Sequence, residues 1–193
     1  MTVSDKQNTD FRLQRYGAIL SLCDGSGGWS QPYVDDDYEV IRVDLTDGQD
    51  VRLLPLPTTP IHGILAAPPC TVFAGSGNRW LRTDQDMLDG LSVVDACLRL
   101  IVACRPVWWC LENPVGKLVH YLGPSRMTFQ PNEYGDDYTK RTCLWGEFNA
   151  PVRSPVPATA GSKMHRLGPS ADRAAIRSAT PAGFARAFFL ANP

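Results

Sequence analysis

The chain has 193 residues, enough for one α/β domain with a core of its own and too few for two ordinary ones. Charged residues make up 20% and hydrophobic ones 44%, an ordinary globular balance, and the net charge of −1 gives no sign of a strongly basic nucleic-acid-binding surface. No apolar run approaches 18 residues, so no membrane-spanning helix is expected, and the polar residues 1–10 lack the apolar stretch of a secretory signal. Six cysteines at 23, 70, 97, 104, 110 and 143 are then expected as reduced thiols in a cytoplasmic protein. They include no Cys-x-x-Cys pair, and His62, His120 and His165 are scattered, so no metal site is expected.

Residues 1–11 read as a loose start. Residues 16–23 (YGAILSLC) form a short apolar run, expected as a buried first strand. It ends in Asp24-Gly25-Ser26-Gly27-Gly28-Trp29-Ser30, where glycines permit a sharp turn and close approach of a ligand. The pattern fits the first βα turn of a nucleotide-type fold, although Ser30 stands where a dinucleotide fingerprint has a third glycine. A plain tight turn explains it equally well. Residues 38–43 (YEVIRV) read as a second strand closing on Asp44, 20 positions past Asp24. An acid there suits the two ribose hydroxyls of an adenosine, or simply opens a turn, since Asp47, Gly48 and Asp50 follow.

Three prolines make 55–60 a connector, and 61–67 is the next strand. It runs into Pro68-Pro69-Cys70, where two fixed φ angles stiffen the approach to the cysteine. The polar, glycine-rich stretch 75–82 is a candidate lid. Residues 84–104 are the clearest helix, with Leu88, Leu91, Val94, Leu98, Ile101 and Val102 on one face and Pro106 as its stop. A buried strand, 107–111, leads to Glu112-Asn113-Pro114, and Pro114 is placed to open a short helix over 115–121. Two apolar strands joined by one long helix form a βαβ unit, which sets both strand ends on one edge. Cys70 and Glu112 should therefore share a cleft. Trp108 and Trp109 read as core.

Residues 127–130 suggest a further strand, and Lys140 and Arg141 lead into another at 142–146. The two cations either project into the cleft or are solvated. Residues 149–170 are irregular, rich in Pro, Ser, Ala and Gly. Thr180-Pro181 starts a final helix through Phe184, Ala187, Phe188 and Ala191.

A thiol and a desolvated carboxyl group facing each other beside a bound adenosine define a chemistry. The thiolate can add to an electron-poor ring carbon while the carboxyl group protonates the ring nitrogen. The carbanion-like centre so formed can take an electrophilic methyl group.

The ordered motifs Leu20 to Gly28, Pro68-Pro69-Cys70 and Glu112-Asn113-Pro114 resemble those of the DNA cytosine-5 methyltransferase family. Tyr138 to Gly146 resembles its later arginine-bearing strand, with the YTKRT and LWG strings of phage-encoded members, and Thr180 to Phe188 resembles its C-terminal helix. The resemblance implies a Rossmann-like α/β fold, a mostly parallel sheet with helices on both faces, forming one catalytic domain over 1–193. It implies S-adenosylmethionine as cofactor, with Asp24, Gly25, Ser26, Gly27, Gly28 and Trp29 lining its methionine part. Asp44 would take the ribose, Asp50 and Val51 the adenine, and Pro69 would lie beside them. Cys70 would attack C6 of a cytosine in DNA, Glu112 would act at N3, and Arg141 would be the cation at the base. Lys140, Asn113 and Ser76 would contact substrate.

Two loop positions depart from the family pattern: Thr71 follows the Pro-Cys pair in place of Gln, and Pro114 replaces Val. The large target-recognition region is reduced to the irregular 149–170 segment, leaving little to read or flip a base. DNA is the expected substrate, with a partner protein or a second copy to supply recognition. Two alternatives stay open: the same chemistry on a free cytosine nucleotide, and a non-catalytic subunit of the same fold.

Overall fold

A computed structural model describes residues 17–77, 81–162, 166–168, 170 and 173–193. The expected loose start at 1–11, His165 and part of the candidate lid lie outside these residues. The strands are β1 (Ala18–Leu22), β2 (Val40–Val43), β3 (Ile61–Ala66), β4 (Trp108–Pro114), β5 (Met127–Phe129) and β6 (Thr142–Glu147). The helices are α1 (Gln31–Asp35), α2 (Asp84–Cys104), α3 (Val119–Leu122), α4 (Arg173–Ser178) and α5 (Ala182–Ala191). None of the described helices is long and apolar enough to cross a membrane.

The strands form one sheet in the order β2-β1-β3-β4-β6-β5. The first four run parallel, and β6 runs antiparallel to both of its neighbours. Every residue of β1 and β3 is buried, as a parallel strand covered on both faces requires. Alternate side chains feed two separate cores. Leu20, Leu22, Ile64 and Ala66 pack with Val94, Cys97 and Leu100 of α2 on one face. Ile19 and Leu65 pack with Trp29, Tyr33, Phe184 and Phe188 on the other, so α1 and α5 cover the face opposite α2. Helices thus leave β1 and β3 toward opposite faces. In a Rossmann-like sheet that is the point where a crevice opens at the carboxyl ends of the strands.

Helix α2 begins at a reciprocal cap. Asp86 donates its amide to Thr83 Oγ1 at 3.1 Å, and Thr83 donates its amide to Asp86 Oδ2 at 2.8 Å. It ends where Arg105 turns left-handed at φ 48°, just before Pro106. Its buried stripe is Val94, Ala96, Cys97, Leu100 and Ile101, whereas Leu88 and Val102 of the expected face are exposed.

Three boundaries differ from expectation. Strand β4 does not stop at Leu111 but pairs with β6 through Pro114, opposite Thr142. Proline is tolerated there because the strand ends at that residue. The helix expected over 115–121 is only the four-residue α3, because 115–117 pair with another loop instead. Helix α4 occupies a stretch with no clear apolar period.

Candidate active site

The loop after β1 is organised by the buried Asp24. Its Oδ2 accepts from Ser21 Oγ at 3.1 Å, Ser30 Oγ at 2.9 Å and the Ser30 amide at 3.1 Å, and its Oδ1 accepts from Ser26 Oγ at 3.4 Å. The carboxylate is thus occupied in shaping the loop. Gly27 sits at φ 67°, a left-handed turn that glycine adopts without a Cβ penalty. Trp29 leaves the loop altogether: its ring is fully buried against Phe184 and Phe188, at 6.2 and 5.7 Å between centroids.

At the end of β2, Asp44 lies against Gly25, where a Cβ would stand 3.1 Å from Asp44 Oδ1. That oxygen accepts from the Thr46 amide at 2.8 Å and from Thr46 Oγ1 at 2.7 Å, which fixes the side chain. Asp50 caps the next turn and pairs with Arg52, whose guanidinium holds the Asp50 carboxyl below its ordinary range. Val51 is buried in the core that packs against α2.

Cys70 opens a tight turn beyond β3. Its carbonyl accepts from the amides of Phe73 at 3.0 Å and Ala74 at 2.8 Å, and the fully buried Phe73 ring anchors that turn. The turn is laced to the segment after β4. Lys117 donates its amide to the Phe73 carbonyl at 2.7 Å, and Gly75 donates to the Val115 carbonyl at 3.0 Å. Gly116 allows this approach, since a Cβ there would lie 1.9 Å from the Phe73 carbonyl oxygen. Behind them the fully buried Asn113 donates Nδ2 to the Pro68 carbonyl at 2.9 Å. Asn113 therefore ties the Glu112 strand to the Pro-Pro-Cys loop from behind the cleft.

One cleft of about 450 Å³, counting the part open to solvent, joins these pieces. Cys23 to Ser26, Pro68 to Cys70, Glu112 and Lys140 line it, together with Arg177, Ser178 and Thr180. Burial pushes the Glu112 carboxyl above its ordinary value, the Asp24 charge adds to this, and the Lys140 charge opposes it. Burial likewise raises the Cys70 thiol; the Glu112 charge adds, while Lys140 and Arg177 oppose.

The two cations at the head of β6 separate. Lys140 is half-buried, lines the cleft and donates Nζ to the Ala179 carbonyl at 3.2 Å. Arg141 is exposed and lies outside the cleft lining; its carbonyl accepts from the Val115 amide at 3.3 Å. Successive side chains of an extended segment point opposite ways, so only one of the pair can face Cys70. Ser76 is exposed above the Cys70 turn, where its Oγ accepts from Arg177 Nη2 at 3.4 Å.

Arg177, Ser178 and Thr180 carry no expected role in the sequence reading. The available signal was the Thr180-Pro181 helix start, with a cation three residues before it.

The fold and cleft define a Rossmann-like α/β protein with a thiol in the turn beyond β3 and a carboxyl group in the adjacent parallel strand β4. No family model and no curated protein matches the chain. Among solved structures it is similar to an E. coli protein described as a candidate DNA modification methyltransferase encoded within a prophage. The identity is 17%, the TM-score 0.49, and the match covers 79% of this chain and 49% of that one. It is also similar to the S. pombe Dnmt2 methyltransferase, at 12% identity and TM-score 0.48, covering 74% of this chain and 52% of that one. The chain thus matches about half the length of each.

Proposed function

We propose that this chain transfers a methyl group to C5 of cytosine in DNA through a covalent adduct on Cys70. The observation that carries the proposal is that Cys70 and Glu112 share one cleft with the glycine-rich loop Cys23 to Ser26. The residues present fit S-adenosylmethionine. The bare backbone at Gly25 has the Asp44 carboxylate against it, and a side chain at Gly27 would meet the Arg42 guanidinium at 2.7 Å. When bound there, that cofactor supplies an electrophilic methyl group on a sulfonium sulfur.

The chain's own residues do the rest. Cys70 Sγ, as thiolate, forms a bond to C6, and the C5–C6 π electrons shift to C5. Glu112, whose carboxyl burial pushes above its ordinary value, donates at N3 and neutralises the charge that would develop on the ring. Lys140, a cation lining the cleft, takes the part expected of Arg141 and favours the thiolate. Once C5 carries the methyl group, its proton leaves to a base, the electrons re-form the C5–C6 double bond, the Sγ–C6 bond breaks to restore the thiolate, and N3 returns its proton to Glu112.

A duplex carrying 5-fluorocytosine tests this, because fluorine at C5 cannot leave as a proton and the adduct persists. With cofactor present, wild-type chain should trap and Cys70→Ser should not. A wild type that binds cofactor and traps no duplex would remove the nucleophile assignment.

The same C5 chemistry on a free cytosine nucleotide has one observation in its favour. Only residues 148–172 separate β6 from α4, little material for reading a duplex. Labelled S-adenosylmethionine offered with duplex DNA or with dCMP separates the two readings by which substrate gains label.

A further inference from the structure

We infer that Arg177 and Lys140 form an anion seat beside Cys70 that takes a phosphate of the target nucleotide. The inference rests on the reading that the cleft holds a nucleotide base, and it names how that nucleotide is held when the chain has so little material for recognition.

Arg177 and Lys140 both line the Cys70 cleft, and among the described residues neither pairs with a carboxylate. Among the described residues Arg177 donates to the neutral Ser76 hydroxyl, at 3.4 Å, a long and weak bond for a guanidinium. A phosphate oxygen would replace that hydroxyl with a charge-assisted contact, and the planar fork matches two phosphate oxygens at once. Lys140 is held by the Ala179 carbonyl, two residues beyond Arg177, which stands in the last turn of α4. The two cations face two acids in the cleft, and neither acid is ion-paired to them: the Asp24 carboxylate is turned into its own loop by three serine hydroxyls and an amide, and burial pushes the Glu112 carboxyl above its ordinary value. A base attached to its phosphate would place the anion against Arg177 while the ring reaches the thiol and Glu112.

Cys70 itself reports the potential. Iodoacetate and iodoacetamide alkylate the same thiolate, and only the first is an anion. The ratio of their rates at the Cys70 peptide, read by mass spectrometry and normalised to the urea-unfolded chain, cancels thiolate fraction and exposure. The ratio should exceed one in the folded wild type and fall about threefold or more in Arg177→Ala. It should recover in Arg177→Lys, and inorganic phosphate should suppress it more than chloride at equal ionic strength. A folded Arg177→Ala with the wild-type ratio, or a wild type indifferent to phosphate, overturns the seat. If the ratio behaves as stated and no 5-fluorocytosine adduct ever forms, the methyl-transfer reading fails while the seat stands. If adducts form equally fast in wild type and Arg177→Ala on both duplex and nucleotide, the reverse holds.

Discussion

Gly116→Ala tests whether the Cys70 turn is held by the segment that follows Glu112. The added Cβ would lie 1.9 Å from the Phe73 carbonyl oxygen, 2.7 Å from the Gly75 nitrogen and 2.8 Å from the Phe73 carbonyl carbon, all backbone atoms. Side-chain rotation cannot relieve such a contact. Bringing the oxygen out to 3.0 Å needs a shift of about 1.1 Å. A shift of that size breaks the Lys117–Phe73 and Gly75–Val115 bonds, each worth about 0.5–1.5 kcal/mol. Overpacking strain adds about 1–3 kcal/mol, and the smaller entropy of the unfolded alanine chain returns only about 0.4–1 kcal/mol. The net loss is about 3 kcal/mol, or a fall in Tm of about 6–12 °C for a chain of this size. Calorimetry measures that fall, and 5-fluorocytosine trapping measures displacement of Cys70. A variant with both the wild-type Tm and the wild-type trapping rate would show that the lacing does not hold the turn.

Three further outcomes follow from the same geometry. Glu112 has a raised pKa in the fold, so native chain holds its proton more tightly than unfolded chain, and wild-type stability falls as pH climbs from about 4.5 through the raised value. Glu112→Gln does not titrate; its urea midpoint should exceed wild type at pH 8, with the gain vanishing toward pH 4. Its Cys70 alkylation profile should move to lower pH, because the Glu112 charge helps to raise the thiol. Asn113→Ala leaves the buried Pro68 carbonyl unpaired, at about 1–3 kcal/mol, and should slow trapping while cofactor affinity by calorimetry is unchanged. Asp44→Ala should weaken S-adenosylhomocysteine binding at least tenfold and leave the alkylation rate of Cys70 as in wild type.

The sheet was legible where burial is total. The unbroken apolar runs of β1 and β3 and the capped α2 between β3 and β4 have few other solutions, and they put Cys70 and Glu112 on one edge. Less was legible where backbone pairing, not side-chain pattern, decides the structure. Pro114 reads as the opening of a helix, yet β6 carries the ladder as far as it; residues 115–117 read as helix, yet they bond the Cys70 turn. Trp29 belongs to a glycine loop by position and to the α5 core by contact. Lys140 and Arg141 are equivalent as letters and opposite as directions. Arg177 stands 107 positions from Cys70 by number, in a stretch without period, and only the chain's return over the cleft brings the two together.

The pairing of β4 with β6 through Pro114 makes the two reactive groups mechanically unequal. Glu112 is a rung of a ladder, opposite Leu144 with Asn113 and Pro114 paired beyond it, whereas Cys70 sits in a turn outside any strand. The acid is the anvil and the thiol the hammer. Amide hydrogens around Glu112 should exchange only when the sheet itself opens, and those from Thr71 to Ser76 should exchange through small local openings. A bound nucleotide that seats on Arg177 would slow the second set and leave the first unchanged, a footprint that can be read without any methyl transfer.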